Sequence, residues 1–301
     1  MIIKNISNDS FSSIIGLEDI KKQLRSALIL GRHVVLVGGP GMGKTTMVKD
    51  VAKMINQEKE VFVRVQGSPD LTVEDLIGDI DPLKAMEYGP LSKEAFTPGK
   101  IFKADGGILF FDELNRCSQR LQNALLQVLE EKKVTIGRFD VDVDVDFVFI
   151  GTMNPQDTNT EPLSDVLLDR FDLIYVHYPT KQQDEEQIVR ARGQKLVEFP
   201  AELYAGMIEF IRNLRDNKNI EKVPSVRASI GLYERSQAVA QINGRDKVSP
   251  FDIMEALPSV LAHRIRLKPS VGYTTTTEKF LSEQFSEYCE QAGISLEAQG
   301  P

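Results

Sequence analysis

Short apolar runs alternate with helical patterns through the first 180 residues of the chain. Five of these runs are rich in β-branched and aromatic residues, and they cover 34–37, 61–65, 108–111, 147–151 and 173–178. Continuously apolar strands separated by helices are typical of a parallel sheet that is covered on both faces. The pattern therefore predicts an α/β unit, in which a mainly parallel sheet is sandwiched by helices.

After Thr180 the strand-like runs stop and helical patterns take over. One helical face carries five apolar residues, Leu203, Met207, Phe210, Ile211 and Leu214. A second helix is predicted to begin at Ser249 as the N-cap, with Pro250 at the first helical position and Asp252 in the first turn. We expect an N-terminal lead (1–11), an α/β domain (12–180), a small all-helical domain (181–266) and a tail with one weak helix (267–301).

The stretch 140–146 reads DVDVDVD and alternates strictly between acidic and apolar residues. Such alternation puts Val141, Val143 and Val145 on one strand face and the aspartates on the other. A cation site is one interpretation, but aspartates two positions apart do not wrap around one ion, so a solvated face is favoured. With KVTI before it and GRFD as the turn, the segment 133–146 predicts a charged β-hairpin.

Composition limits the classes of partner. The chain has 301 residues, 42% of them hydrophobic and 27% charged, with a formal net charge of −8. This is the composition of a globular protein, and its acidity disfavours nucleic acid as a partner. No apolar run approaches the ~18 residues that a membrane span needs, so no membrane insertion is expected. Cys117 and Cys289, far apart and outside any CxxC, are interpreted as small buried thiols of a cytoplasmic protein.

The segment 38–47 reads GGPGMGKTTM and lies between the first strand and a helix. It fills the pattern GxxxxGK[ST], in which backbone N–H groups cradle phosphates, the lysine neutralises charge and the hydroxyl binds Mg²⁺. The pattern predicts a P-loop NTPase fold with ATP and Mg²⁺ as cofactors. The predicted nucleotide-binding residues are Gly38, Gly39, Pro40, Gly41, Met42, Gly43, Lys44, Thr45 and Thr46.

Two adjacent acids, Asp112 and Glu113, end the apolar run ILFF. Beside a phosphate cradle, Asp112 is placed to hold the Mg²⁺ through water, and Glu113 is placed to polarise the water that attacks the γ-phosphate. The alternative is that Glu113 merely begins the helix that follows. The two roles predict ATP hydrolysis rather than nucleotide binding alone.

Two further polar residues lie near later strands, Asn154 after the run 147–151 and Arg170 at a helix end just before the run 173–178. Asn154 in FIGTMNP could orient the attacking water, or could serve as an ordinary Asn-Pro turn residue. Arg170 in LLDRFDLIYV could form a surface ion pair with Asp169 or Asp172, or could reach a neighbouring subunit's nucleotide. Sequence spacing leaves both pairs of alternatives open.

Five ordered motifs carry a resemblance: GGPGMGKT, ILFFDELNR, FIGTMNP, LLDRF and VPSVRA. In this order they resemble the AAA+ ATPases, and the stretch from FTPGKIF to KKVTIG is similar to the MoxR family. The resemblance covers about residues 12–266. It implies a helical lid domain, ATP between the subunits of a homo-oligomer, usually a hexameric ring, and a chaperone-like motor.

The resemblance also implies roles for individual residues. Asn154 matches sensor 1, Arg170 the arginine finger and Arg227 sensor 2, while Ile15 and Gly16 match the segment that packs on adenine. The hairpin 133–146 and an insert near 66–102 would face the pore or a partner. The implied client is a partner protein that is remodelled or activated, often a von Willebrand factor A domain protein, or one that receives a metal.

Three other classes of protein are alternatives: a GTPase, a DNA-directed or chelatase-type motor, and a nucleotide-gated scaffold. A GTPase would show Asn-Lys-x-Asp, and the nearest segment, Asn217 to Ile220, lacks the Asp. A DNA-directed or chelatase-type motor shares the insert, and a nucleotide-gated scaffold would bind ATP without needing turnover. The segment QDTNTEPLSD and the tail after Pro269 depart from the family pattern, and neither belongs to the predicted ATP site.

Overall fold

The computed structural model describes residues 11–55, 61–89, 92–136, 141–155, 157 and 160–296. Two compact units divide the chain, Met1–His177 and Tyr178–Pro301. The lead 1–10 and the hairpin turn 137–140 lie outside the described residues. The domain limits expected from the sequence stay a prediction.

The first unit contains nine of the described strands. In chain order they are β1 (Val34–Val37), β2 (Phe62–Gln66), β3 (Gly78–Ile80), β4 (Phe96–Pro98), β5 (Ile108–Asp112), β6 (Lys133–Ile136), β7 (Val141–Asp144), β8 (Val148–Met153) and β9 (Asp172–Tyr175). Five of them form one parallel sheet in the order β2-β5-β8-β1-β9. Since β1 and β5 both flank β8, the ends of these three strands lie side by side.

Helices cover both faces of this sheet. The helices of the unit are α1 (Glu18–Ile29), α2 (Lys44–Ile55), α3 (Val73–Ile77), α4 (Pro82–Tyr88), α5 (Lys100–Lys103), α6 (Gln119–Glu131) and α7 (Asp165–Leu168). Of these, α1 and α2 pack on one face of the sheet and α6 packs on the other. Alternate strand residues build two separate cores: Leu36 and Phe110 pack with α1 and α2, whereas Val35 and Phe111 pack with α6. The predicted parallel sheet sandwiched by helices is confirmed.

Two short antiparallel ribbons extend from this unit, β3 with β4 and β6 with β7. The second ribbon is the predicted charged hairpin. Val145, just after β7, is buried, while Asp142 and Asp144 are exposed. This arrangement agrees with a solvated acidic face.

The second unit is mainly helical. Its elements are α8 (Gln182–Arg192), α9 (Ala201–Asp216), β10 (Ile220–Lys222), α10 (Val226–Ile242), α11 (Pro250–Leu261), β11 (Arg266–Leu267), α12 (Pro269–Gly272) and α13 (Thr277–Ala292). The predicted helical face of α9 is buried, and a capping box of Ser249 and Asp252 opens α11. Both helices therefore agree with the pattern that predicted them.

The expectation that strands stop after Thr180 is wrong in one detail. β10 and β11 pair as a short antiparallel ribbon, with Ile220 opposite Leu267. Both of these side chains are buried in the core of the helical unit. Strands of three and two residues are too short to give an apolar run that stands out among helical patterns.

The helix predicted in the tail is α13, and it belongs to the core of the second unit. Phe280, Leu281, Phe285 and Cys289 are buried there together with residues of α9, α10 and α11. We propose that the helical domain continues through α13 rather than ending near residue 266.

Both cysteines are free and fully buried, as interpreted from the sequence. Burial raises the pKa of Cys117 and of Cys289 to about 11 each. Each side chain is therefore a protonated thiol at neutral pH and a poor nucleophile.

Candidate functional site

The phosphate-binding pattern forms a loop between β1 and α2. Gly38 N donates to Met153 O at 3.0 Å, which fixes the loop entrance to the end of β8. Gly41 and Gly43 have φ of 74° and 84°, in a region that residues other than glycine rarely adopt. The loop therefore takes a shape that depends on its glycines and leads directly into the first turn of α2.

Lys44 opens α2 and its side chain folds back over the loop. Its ammonium group donates to Gly38 O at 2.6 Å and to Gly39 O at 2.7 Å. The positive charge thus lies against the loop, where a phosphate would be bound. Thr46 is half-buried in the same turn, while Pro40 is exposed at the outer edge of the loop.

The segment predicted to pack on adenine lies beside this loop. The position that a Cβ would occupy at Gly43 is 3.9 Å from Ile14 Cδ1. Gly16 has φ of 67°, so the chain turns sharply before α1, and Ser13 N is bound to Asp50 Oδ2 on α2 at 2.9 Å. Ile15 and Gly16 are both half-buried in this turn.

Asp112 ends β5 and faces the first turn of α2. Its Oδ2 lies 3.5 Å from Thr45 Oγ1 and accepts from Arg64 Nη2 at 2.7 Å, while its Oδ1 accepts from Thr152 Oγ1 at 2.6 Å. Asp112 as a whole residue is 8% exposed. The two predicted metal ligands, Thr45 and Asp112, are therefore brought together, and oxygen donors of this kind suit Mg²⁺.

Glu113 follows in a left-handed conformation, with φ of 56° and ψ of 50°. Its N–H donates to Thr152 Oγ1 at 2.9 Å, and its Oε2 accepts from Gln66 Nε2 at 2.8 Å and Arg116 Nη1 at 2.9 Å. A non-glycine residue in this region costs about 1–3 kcal/mol and is held only when its surroundings fix it. Glu113 lies immediately before a short 3₁₀ helix, Leu114–Arg116, but its side chain makes no capping hydrogen bond to it, and α6 begins only at Gln119.

Asn154 comes directly after β8. Its carbonyl accepts from Asn115 Nδ2 at 3.0 Å and from Asp157 N at 3.3 Å. The second bond closes a turn, so the turn alternative describes its backbone, and the side chain is half-buried. Its role as a sensor stays a prediction.

Arg170 follows α7 and is paired within the same chain. Its guanidinium contacts Glu130 Oε1 at 2.8 Å and Asp169 Oδ2 at 3.3 Å, and the side chain is 32% exposed. Of the two ion pairs considered from the sequence, the one with Asp169 forms, whereas Asp172 pairs with Arg32. Surface ion pairs of this kind are worth little, so Arg170 can exchange its partners at small cost. Arg227 lies exposed in the first turn of α10, in the second unit.

Comparison with known proteins places the chain in a family. Residues 33–171 match the AAA domain (dynein-related subfamily), and residues 221–283 match the AAA lid domain. The uncharacterized protein YeaC of Bacillus subtilis is 30% identical over 285 residues, which are 86% of this chain and 85% of YeaC. Chaperone MoxR1 of Mycobacterium tuberculosis is 28% identical over 285 residues, 84% of this chain and 73% of MoxR1. The chain belongs to the MoxR family of AAA+ ATPases.

The chloroplastic magnesium-chelatase subunit ChlI of Nicotiana tabacum is also similar to this MoxR-family chain. It is 26% identical over 323 residues, which are 86% of the chain and 74% of ChlI. The resemblance noted from the five motifs is therefore confirmed, together with the α/β fold and its helical lid. Membership of the AAA+ ATPases implies, in general, nucleotide binding with Mg²⁺ and ATP hydrolysis.

Several polar residues of the MoxR-family site do not follow from its motifs. Arg64 and Gln66 stand two apart on β2 and therefore point to the same side of the strand, toward the two acids. Thr152 contacts both acids, and Arg116 binds Asp157 Oδ2 through Nε at 2.8 Å. The only sequence signal for Arg64 and Gln66 is the alternation of polar and apolar residues at the end of VFVRVQ.

Gly67 is a further residue that sequence reasoning missed. Its N–H donates to Asp112 O at 2.7 Å, and a Cβ there would lie 2.2 Å from Glu113 O, a backbone atom. We expect Gly67→Ala to lower the free energy of unfolding by about 1–3 kcal/mol, because the end of β2 must move away from Glu113. Urea unfolding checks this.

Gly272→Ala is the matched control for Gly67→Ala. A Cβ at Gly272 meets nothing within 4 Å, and the φ of this residue is ordinary. The change should alter the free energy of unfolding by less than about 0.5 kcal/mol. Equal effects of the two substitutions would contradict the close approach at Gly67.

Proposed function

We propose that this chain is a cytoplasmic, Mg²⁺-dependent ATPase that hydrolyses ATP at the interfaces of a homo-oligomer and thereby remodels or activates a partner protein. The observation that carries the proposal is the pair Asp112 and Glu113 beside the phosphate loop, where the Thr152 hydroxyl binds the Asp112 carboxylate and the Glu113 backbone N–H. Thr45 Oγ1, 3.5 Å from Asp112 Oδ2, adds a second oxygen donor of the kind that suits Mg²⁺.

The residues fit a nucleotide with its metal ion. Thr45 and Asp112 would hold Mg²⁺, which when bound neutralises charge on the phosphate oxygens. Lys44 supplies a cation already inside the cradle, so its ammonium exchanges two loop carbonyls for phosphate oxygens. The loop N–H groups and the start of α2 add favourable partial charges.

Glu113 is the residue that we assign to the attacking water. Within the described part of the chain both side-chain contacts of Glu113, from Gln66 and Arg116, are on Oε2. Its Oε1 is therefore the oxygen that we assign to the proton of the water. The water oxygen then bonds to the γ-phosphorus, the bond from that phosphorus to the bridging oxygen breaks, and ADP leaves.

Assembly would complete the site. We propose that Arg170 leaves Glu130 and Asp169 to reach the nucleotide of a neighbouring subunit in a ring, probed below as an arginine finger. Asn154 would orient the water, and Arg227 would respond to the γ-phosphate. A hexamer and a von Willebrand factor A domain client are what the family resemblance supports, and the name of MoxR1 supports a chaperone-like role.

The compartment is a smaller part of the same proposal. Among the described residues no helix has the length and apolar character to cross a bilayer. Both cysteines are free thiols, which fits a reducing compartment.

The test is ATP turnover per subunit over a wide range of protein concentration. Specific activity should rise with concentration as subunits assemble, because each site needs Arg170 from a neighbour. Arg170→Ala should lower turnover by at least about tenfold at every concentration while ATP binding is retained.

Arg120→Ala provides the control, since Arg120 is 82% exposed and contacts Glu74 only at 3.8 Å. It should leave turnover unchanged. Flat specific activity from a protein shown to be monomeric would overturn the arginine finger and the assembly requirement together.

A chelatase-type motor is the second candidate, favoured by the match to ChlI. Both candidates share the ATP site and differ in the client. A DNA-directed motor has less support, because the chain carries a net charge of −8. Turnover that is stimulated by DNA and falls steeply with salt would favour the DNA motor over both.

A further inference from the structure

A fully buried carboxylate lies in the helical unit, outside the candidate site. Glu185, on α8, is 0% exposed. It accepts from Arg215 through both oxygens at 2.6 Å, from Ser229 Oγ at 2.6 Å and from Arg212 Nη1 at 3.3 Å. We call these four residues, Glu185, Arg212, Arg215 and Ser229, the ionic cluster.

The two arginines also bind backbone carbonyls in two separate segments of the helical unit. Arg212 donates to Pro179 O at 2.9 Å and Thr180 O at 2.8 Å. Arg215 donates to Pro224 O at 2.9 Å, and its guanidinium lies 4.6 Å from the centre of the Tyr178 ring. The cluster therefore ties the segment 178–180, where the chain leaves the α/β unit, to the segment before α10.

Arg227 is carried by the segment that the cluster holds. Pro224 lies three residues before Arg227, and Ser229 lies two residues after it on α10. Both sides of Arg227 are thus bonded to Glu185, either directly or through Arg215. The backbone around an exposed arginine is fixed by an interior carboxylate.

Stability alone is a poor reason for such a cluster. Removing charges from water is costly, and well-packed apolar residues often stabilise a core as well or better. Burial raises the pKa of Glu185, but hydrogen bonds from Arg215 and Ser229 outweigh this and lower the pKa below its ordinary value. Charge-assisted hydrogen bonds are directional, so each bond in the cluster fixes the position of one backbone segment relative to another.

We propose that Glu185 is a positioning residue that couples Arg227 to the segment 178–180, so that a response of Arg227 to nucleotide is passed to the point where the two units join. This inference rests on the proposed function, in which Arg227 responds to the γ-phosphate. The inference adds the bonds through Glu185 as the connection between Arg227 and the segment 178–180.

The test is amide hydrogen exchange of the full chain, with and without a non-hydrolysable ATP analogue and Mg²⁺. In the wild type, nucleotide should raise protection in three segments, 38–48, 178–182 and 226–232. Arg212→Met removes the bonds to Pro179 and Thr180, while Arg215 still neutralises Glu185. This variant should keep the gains at 38–48 and 226–232 and lose the gain at 178–182.

Two further variants separate the outcomes. Arg227→Ala should keep the gain at 38–48 and lose both others, whereas Arg235→Met, an exposed arginine on α10 outside the cluster, should match the wild type. A merely structural Arg212 would change exchange at 178–182 equally with and without nucleotide.

The failures are distinguishable. If Arg212→Met keeps the gain at 178–182, the coupling is wrong while the proposed function stands. If the wild type shows no gain at 38–48, nucleotide binding fails and the proposed function falls with it. If Arg227→Ala keeps all three gains in protection, Arg227 does not respond to nucleotide, and the proposed coupling through Glu185 is wrong.

Discussion

Glu113→Gln is expected to lower ATP turnover by at least about 100-fold while ATP binding stays within about twofold of the wild type. The amide keeps the size of the side chain and an oxygen that can accept from Gln66 and Arg116, but it cannot take a proton from water. The change leaves the phosphate loop with Lys44 and the Mg²⁺ ligand Thr45 intact, so binding is spared. Steady-state turnover and titration with a fluorescent ATP analogue measure the two quantities.

Glu131→Gln is the matched control, because Glu131 ends α6 with an exposed side chain and the change in charge is the same. It should leave turnover unchanged. Turnover of Glu113→Gln within a few-fold of the wild type would remove Glu113 from the proton transfer. Loss of client activation by this variant, with assembly intact, would count against a scaffold that only binds ATP.

His33 makes the stability of the α/β unit sensitive to acid. The residue precedes β1, and its Nδ1 accepts from Phe149 N at 3.1 Å, which requires an unprotonated nitrogen at that position. Burial, followed by the nearby Lys132 charge, lowers the pKa of His33 from 6.5 to about 4. The ring is therefore neutral in the folded protein at pH values where the unfolded chain is protonated.

The sign of the effect follows from the lowered pKa. Between pH 6.5 and about pH 4 the unfolded state binds the extra proton, so folding stability falls as the pH falls through this window. We expect the wild type to lose about 2–3 kcal/mol more than His33→Asn between about pH 7 and about pH 4.5. Urea unfolding of the two proteins over this range measures the difference.

His33→Asn offers a carboxamide oxygen near the position of Nδ1, so the Phe149 N–H can keep an acceptor that does not titrate. His263→Asn is the control, since His263 is exposed in the second unit. Its loss of stability with acid should follow that of the wild type. Parallel curves for the wild type and His33→Asn would show that His33 titrates alike in the folded and unfolded states.

The sheet and the phosphate loop could be predicted because each has a local signature. Continuous apolar runs such as VVLV and ILFF indicate strands buried on both faces, and the glycines of the loop are set by backbone geometry. The neighbouring placement of Thr45 and Asp112 follows once the strands are parallel, because their carboxyl ends share one edge of the sheet. No long-range information is needed for these steps.

The polar partners of the two acids depend on register, which local patterns do not contain. Arg64 reaches Asp112 because β2 pairs with β5 so that Gln66 stands opposite Asp112. A shift of one residue would turn Arg64 and Gln66 to the opposite face. Gly67 is needed for the same reason, since its close contact with Glu113 exists only in this register.

The helical unit shows a second limit. A weakly amphipathic sequence does not show whether its apolar face packs against another element. The sequence therefore predicts α13 as part of a tail, although Phe280 and Phe285 are core residues. Likewise, Glu185 reads as one acid in a charged helix, QQDEEQIVRAR. Only the packing of α8 against α9 and α10 buries it next to Arg215 and Ser229.

Thr152 uses one hydroxyl for two bonds of opposite sense. It donates its proton to Asp112 Oδ1 and accepts the N–H of Glu113 with a lone pair, so carboxylate, hydroxyl and peptide group form a short chain. Hydrogen bonds in such a chain polarise one another. A change of charge at the Asp112 carboxylate therefore alters the polarisation of the Glu113 peptide group, even when the backbone does not move.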